Sequence, residues 1–168
     1  MAIYPASSWV NEWNDIIRYI IFPDEKLKEL MLVPASTNII DFRDQYFVRA
    51  GYTSKILKDE KVRIVYGMIP AYESSAQRII ENEISFDIYV KQEVTNNVGD
   101  DRLMYRTELI AERLNQLLNS HTRLNVKDRF GVTKELAYKF RCIGMADLGT
   151  PTVGYVRYNI SFKYMRTV

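Results

Sequence analysis

Catalysis in a chain of this size needs a side chain whose proton affinity can be tuned, or a metal that does the same work. The sequence offers few such groups. It holds one cysteine, Cys142, and one histidine, His121, so a thiolate–imidazole couple is the only Cys/His pair available. Cys142 alternates with Phe140 and Tyr138 on the apolar side of a strand-like run, where a free cysteine acts as a small hydrophobe. His121 falls in a polar connection with nothing to orient it. A lone cysteine also excludes an intramolecular disulfide and a thiolate metal cage. Carboxylates come closer. Pro23-Asp24 followed by Asp59-Glu60-Lys61 spells a metal-nuclease pattern, in which two acids on adjacent strands share a divalent ion and a lysine polarises water. The context does not suit that chemistry: Asp24 stands where a helix cap is needed, and Asp59-Glu60-Lys61 ends a polar run, 53–61, that reads as a loop or hairpin tip. Asp100-Asp101 precedes a helix, where negative charge opposes the helix dipole favourably. No phosphate loop, dinucleotide fingerprint, nucleophile elbow or zinc-helix motif occurs. The residue types argue against an enzyme and imply no cofactor and no metal.

The elements that would position these residues follow from periodicity. Trp9, Val10, Trp13, Ile16, Ile17, Ile20 and Ile21 recur at spacings of three and four, which predicts a helix over 8–21 capped by Ser7 or Ser8 and ended by Pro23. Asp24 then caps a short second helix carrying Leu27, Leu30 and Met31. Residues 46–49 read as a short strand broken by Gly51, and Val62, Ile64, Tyr66 and Met68 alternate as a strand stopped by Pro70. Ile84, Phe86, Ile88 and Val90 alternate with Ser85, Asp87, Tyr89 and Lys91, the pattern of a half-buried strand. A turn at 96–101 leads into an amphipathic helix to about Leu118, bearing Leu103, Ile110, Leu114, Leu117 and Leu118. Residues 136–144 and 153–165 predict two long antiparallel strands joined by a Gly/Pro-marked loop at 146–152. The expected fold is α+β: an antiparallel or mixed sheet of four to five strands with helices packed on one side. It forms a single domain over 1–168, with a helical N-terminal extension at 1–34 and an α+β core at 38–168.

Composition narrows the partners. Lys and Arg number 23 against 21 Asp and Glu, a net charge of +2 that gives no general attraction to phosphate or anionic lipid. The first residues lack the basic and apolar blocks of a secretory signal, and the longest apolar stretch, 16–22, falls short of the ~20 residues of a spanning helix. A protein kept in a reducing compartment, without membrane contact, is expected. Lys139, Arg141, Arg157 and Lys163, with Tyr155 interleaved, share the polar face of the last hairpin, and such a face could pair phosphates and stack bases. Outward strand faces are ordinarily charged, and lysine and arginine also guard sheet edges. The 12 tyrosines are the odder feature. Tyr89 and Tyr155 sit on the polar faces of their strands. Tyr105 lies off the apolar stripe of its helix, beside Arg102, Arg106 and Arg113. Tyrosine supplies large, rigid, amphipathic area at interfaces, so these positions predict surfaces covered by neighbours.

From residue 62 onward the layout resembles the tail-terminator and tail-completion proteins of tailed bacteriophages. The resemblance rests on the strands Val62-Arg63-Ile64-Val65-Tyr66 and Ile84-Ser85-Phe86-Asp87-Ile88-Tyr89-Val90, the helix from Arg102 to Leu118, and the closing strand Gly154-Tyr155-Val156-Arg157-Tyr158-Asn159-Ile160-Ser161-Phe162. It covers about two-thirds of the chain and concerns element order and polarity; the helical start at 8–32 departs from the shortest members of that family. It implies a non-enzymatic subunit of the virion neck, assembled in the host cytoplasm. Such subunits form a homo-oligomeric ring, usually a hexamer, that caps the tail tube, meets the tail-tube and head–tail connector proteins, and admits passing contact with DNA in its lumen. In such a ring Asp147 and Leu148, in the 147–154 loop, and the polar face of the final hairpin would touch adjacent subunits or rings, with Tyr89, Tyr105 and Arg106 as further interface candidates. A nucleic-acid-binding module using the basic and aromatic hairpin face is the alternative.

Overall fold

The computed structural model describes residues 13–50, 61–69, 79–95, 105–120, 123–127, 133–150 and 154–167. Alternation of apolar and polar side chains sets its architecture, because β-branched and aromatic residues at every second position fit a pleated surface with one buried face. They form β2 (Val62–Ile69), β3 (Ile79–Lys91) and β6 (Tyr155–Thr167). With β1 (Phe47–Arg49), β4 (Arg123–Lys127) and β5 (Thr133–Asp147) they make a six-stranded sheet in the order β1-β2-β3-β6-β5-β4. β1 runs parallel to β2, and every other neighbouring pair is antiparallel. The protein is an α+β fold with a mixed sheet. One strand goes beyond the expected set: β4 occupies part of the polar connection after the long helix, and its pairing with β5, from Arg123 opposite Ala137 to Lys127 opposite Thr133, defines it.

Register decides which side chains meet. On the inner face Ile84 lies opposite Phe162, Phe86 opposite Ile160 and Val90 opposite Val156. On the outer face Ser85 lies opposite Ser161, Asp87 opposite Asn159 and Tyr89 opposite Arg157. β5 continues the inner face with Phe140, whose ring lies 4.9 Å from that of Tyr164. Between Cys142 and Gly144 its register with β6 slips by one residue, leaving Ile143 as the extra residue of a β-bulge.

The buried side chains of the described helices join the inner-face cluster. Helical turns at 13–16 widen into a π-helix, Ile17–Ile21, and Pro23 then breaks the run. Asp24 caps α1 (Glu25–Leu30) as expected, its Oδ1 accepting the Leu27 amide at 2.7 Å. α1 closes at Leu32, which adopts a left-handed φ of 57° while the Val33 amide reaches back to the Lys28 carbonyl. The single turn α2 (Ile39–Asp41), capped by Asn38, runs into a π-helical turn, Phe42–Tyr46, that delivers the chain to β1. α3 (Arg106–Ser120) buries Ile110, Ala111, Leu114, Leu117 and Leu118 against the sheet, the stripe its spacing predicts. Trp13 sits centrally, its ring 5.6 Å from Tyr66 and 5.7 Å from Phe86. Ile16, Ile17, Ile20, Ile21, Leu27, Leu30 and Met31 belong to the same buried cluster as the sheet, so the N-terminal helices are core rather than appendage. The expected cap at Ser7 or Ser8, the breaks at Gly51 and Pro70, Asp59-Glu60, the turn at 96–101 and His121 lie outside the described residues.

Candidate functional site

Two surfaces gather the residues singled out by the sequence. The first is a groove of about 340 Å³ where α3 begins, lined by Gln92, Thr95, Tyr105, Thr107, Asp147 and Val156 among others. Three elements converge there. The short 3-10 turn Gln92–Val94 ends β3, α3 starts beside it, and the loop after β5 closes the far wall. The start of α3 is fixed by its own chemistry: the Tyr105 amide donates to Glu108 Oε2 at 2.9 Å, which leaves the Tyr105 ring outside the helix and 52% exposed. On the opposite wall Asp147 Oδ1 accepts the Gly149 amide at 2.8 Å, and Gly149 takes a φ of 66° that a residue with a side chain adopts at a cost. Leu148 donates its amide to the Arg157 carbonyl at 2.9 Å, and its side chain stands 43% exposed. Met145 and Ile143, at 44% and 42%, extend this apolar exposure along β5. Burial raises the Tyr158 pKa above the ordinary tyrosine value, and the charges of Glu108 and Asp147 push it further.

The second surface is the outer sheet face. Asp87 accepts Arg157 Nη2 on one oxygen and Asn159 Nδ2 on the other, each at 2.8 Å. Asn159 Nδ2 also donates to Ser85 Oγ at 2.7 Å, and Ser161 Oγ reaches Asn159 Oδ1 at 3.1 Å. These side chains are half-buried, so their mutual hydrogen bonds replace those lost to water. Burial alone would lower the Arg157 pKa, but its hydrogen bond to Asp87 and the Asp87 charge raise it above the ordinary value. The Arg157 guanidinium lies 5.8 Å from the Tyr89 ring centre. The Tyr89 hydroxyl pKa is raised, chiefly by burial, with Asp87 adding and Arg157 opposing. Lys139, Arg141 and Lys163 stand exposed on the same face, Arg141 directly opposite Lys163.

The structure corrects two of the expected interface positions. Arg106 is buried, and its guanidinium holds two backbone carbonyls, Val94 through Nε and Leu30 through Nη1, each at 2.8 Å. Burial lowers its pKa, with Glu29 opposing. Tyr155 is likewise buried, although it belongs to the outer set by alternation. Neither side chain is available on the surface of a single chain. Tyr105 and Asp147 do come together at the groove, with Leu148 next to Asp147 in the chain but not part of the lining, and Tyr89 and Arg157 meet on the sheet face. Met145 and Ile143 are surface residues that periodicity assigns to the strand without revealing their exposure. Gly144 was the available signal, since glycine inside a strand marks a bulge.

Asp24 and Cys142 occupy positions with structural explanations. The Asp24 carboxylate pairs with Arg113 through both oxygens, at 3.0 Å and 2.5 Å, and thereby ties α1 to α3. Burial alone would raise its pKa, but the Arg113 hydrogen bond, the Leu27 amide and the charges of Arg113 and Lys28 lower it overall. Cys142 packs beside the core opposite Phe162. Among the described residues no group of three or more His, Cys, Asp or Glu side chains could hold a metal ion, and no helix is long and apolar enough to cross a membrane.

Against known proteins, residues 14–164 match the YomW family model, a span that takes in α1, α2, α3 and all of the sheet but the last three residues of β6. No curated protein matches the chain. The chain belongs to the YomW family.

Proposed function

From this phage-type family membership we propose that the protein is a non-enzymatic structural subunit of a bacteriophage neck or tail. In this reading copies assemble head-to-tail into a ring, a hexamer by resemblance to tail terminators, that ends the tail tube and helps to join it to the head. Its partners are then the tail-tube protein, the connector proteins and further copies of itself, and its place is the virion. The observation that carries the reading is apolar exposure on and next to the groove wall: Tyr105, which lines it, and Leu148, between the lining residues Asp147 and Gly149, stand 52% and 43% exposed. A heterologous contact of this kind closes into a ring when successive rotations complete a turn.

The experiment images the purified protein by negative stain and measures its mass by size-exclusion light scattering. Tyr105→Ala combined with Leu148→Asp should lose the ring while keeping the wild-type circular dichroism and melting temperature. Tyr155 and Arg157 are poor choices for this test, since one is buried and the other pairs with Asp87. An oligomer unchanged in the double variant removes these residues from the contact, and a wild-type protein that stays monomeric at every concentration removes the ring. The nucleic-acid reading keeps Lys139, Arg141 and Lys163 as exposed cations but loses Arg157 to Asp87 and Tyr155 to the interior. It requires oligonucleotide binding by the monomer with a steep salt dependence.

A further inference from the structure

Among the described residues the outer edge of β5 is an unfinished ladder. β4 pairs with β5 only over 133–137, whereas β6 pairs with it over 138–147. Among the described residues no strand lies against the other edge of β5 over 138–147. Lys139, Arg141 and every residue from Ile143 to Thr150 are exposed. Such an edge presents backbone donors and acceptors ready for another strand, and proteins ordinarily blunt it with cations and bulges. Both devices are present in Lys139, Arg141 and the bulge at Ile143.

We infer that a second copy of this chain completes this edge, β5 pairing antiparallel with β5 about a two-fold axis that passes through the bulge. The argument is one of register. Side-chain face and backbone direction alternate together along a strand, and a one-residue bulge shifts both. Lys139 and Arg141 share the outer face through their partners Met165 and Lys163; beyond the bulge Gly144 and Ala146 take that face, opposite Ser161 and Asn159. Phe140 and Met145 both belong to the inner face, opposite Tyr164 and Ile160. Strands of strict alternation would pair with themselves only in registers where opposed residue numbers have the same parity. The bulge instead selects a register that sets Lys139 against Ala146 of the second copy, Arg141 against Gly144, and Phe140 against Met145. In that register both faces run unbroken across the axis. No like charges lie directly opposite one another. The Arg141 side chain falls beside a glycine over which there is open space, since a Cβ built on Gly144 meets nothing within 4 Å. The same bulge and cations that repel an unrelated straight strand therefore leave the strand complementary to itself.

This contact goes beyond the ring reading and does not depend on it. A ring contact is heterologous and this one is isologous, so the two coexist only as paired rings or paired ring precursors. Ala146 provides the test, because it is exposed and sits opposite Lys139 of the second copy in the inferred register. The full-length protein is examined by sedimentation velocity over a concentration series. Ala146→Lys sets like charges against each other twice per dimer and should raise the dissociation constant about tenfold. Ala146→Glu should lower it, and Lys139→Glu combined with Ala146→Lys, which makes the same opposite-charge pair in reverse, should lower it as well. Thermal melts keep the reading separate from misfolding, since all variants should melt with the wild type extrapolated to the monomer. A wild-type chain with no two-fold association, or an oligomer indifferent to all three variants, overturns the inference. Rings that stay paired in Ala146→Lys leave the proposed function standing while the inferred contact falls. Dimers that respond to charge without any ring do the reverse.

Discussion

The two faces of the β3–β6 ribbon are built by the same backbone and hold together by different physics. Inward, Phe86, Phe162, Ile84, Ile88 and Ile160 are buried beneath α3 and Trp13, and burial of apolar area stabilises them. Outward, Ser85, Asp87, Asn159 and Ser161 sit one residue away, half in water, and hold one another by hydrogen bonds. The contrast teaches that an ordered surface is not the same as a binding surface. The polar face pairs its groups with one another, whereas apolar side chains at the groove and along β5 stay exposed. Contact with neighbours is expected where apolar side chains stay uncovered, at Tyr105, Leu148, Ile143 and Met145.

Substitutions on each side measure how unequal the faces are. Phe86→Ala on the inner face should cost about 3–5 kcal/mol, the range for removing a fully buried aromatic side chain, and urea denaturation reads it directly. A cost near 1 kcal/mol would mean that the inner face tolerates collapse and the contrast is overstated. Asp24→Ala belongs between the extremes at roughly 2 kcal/mol, because it removes a helix cap and a charged pair together. This contribution carries a pH signature. The folded Asp24 pKa lies below its ordinary value of 3.8, so its stabilisation is complete above that value and is lost as pH falls through the lower, folded pKa. The gap between wild type and variant should therefore narrow in acid, and a gap that widens there would contradict the pairing with Arg113. Asn159→Ala on the outer face should cost least, about 1 kcal/mol. A larger loss would show that the polar ladder, like the aromatic core, underpins the sheet.

The sequence made much of this division legible, and the reason is local. β2, β3, β6 and α3 each repeat their pattern often enough for the period to identify both element and buried face. The Asp24 cap was equally visible, since a cap needs only a residue type ahead of an apolar run. What could not be read was set by distant partners. Arg106 in the first turn of a helix has the appearance of a solvated charge, and the carbonyls of Val94 and of Leu30, the latter 76 residues away, make it a buried clamp. β4 reads as a polar linker because Arg-Leu-Asn-Val-Lys contains two apolar residues, and β5 alone turns it into a strand. Tyr155 follows the outer alternation and is nevertheless covered, a matter of what lies above the strand end rather than of its period.

The ties from α3 back to the N-terminal helices also impose an order on synthesis. Arg106 grips the Leu30 carbonyl, and Arg113 grips Asp24 across 89 residues. During translation α1 leaves the ribosome long before either guanidinium exists. Until then its last turn lacks the donor to its carbonyl and its first turn lacks the counter-charge of its cap. The first helices made are thus among the last to be locked. A nascent chain halted before α3 would hold Ile16, Ile17, Ile20 and Ile21 without the later-made members of the cluster that buries them.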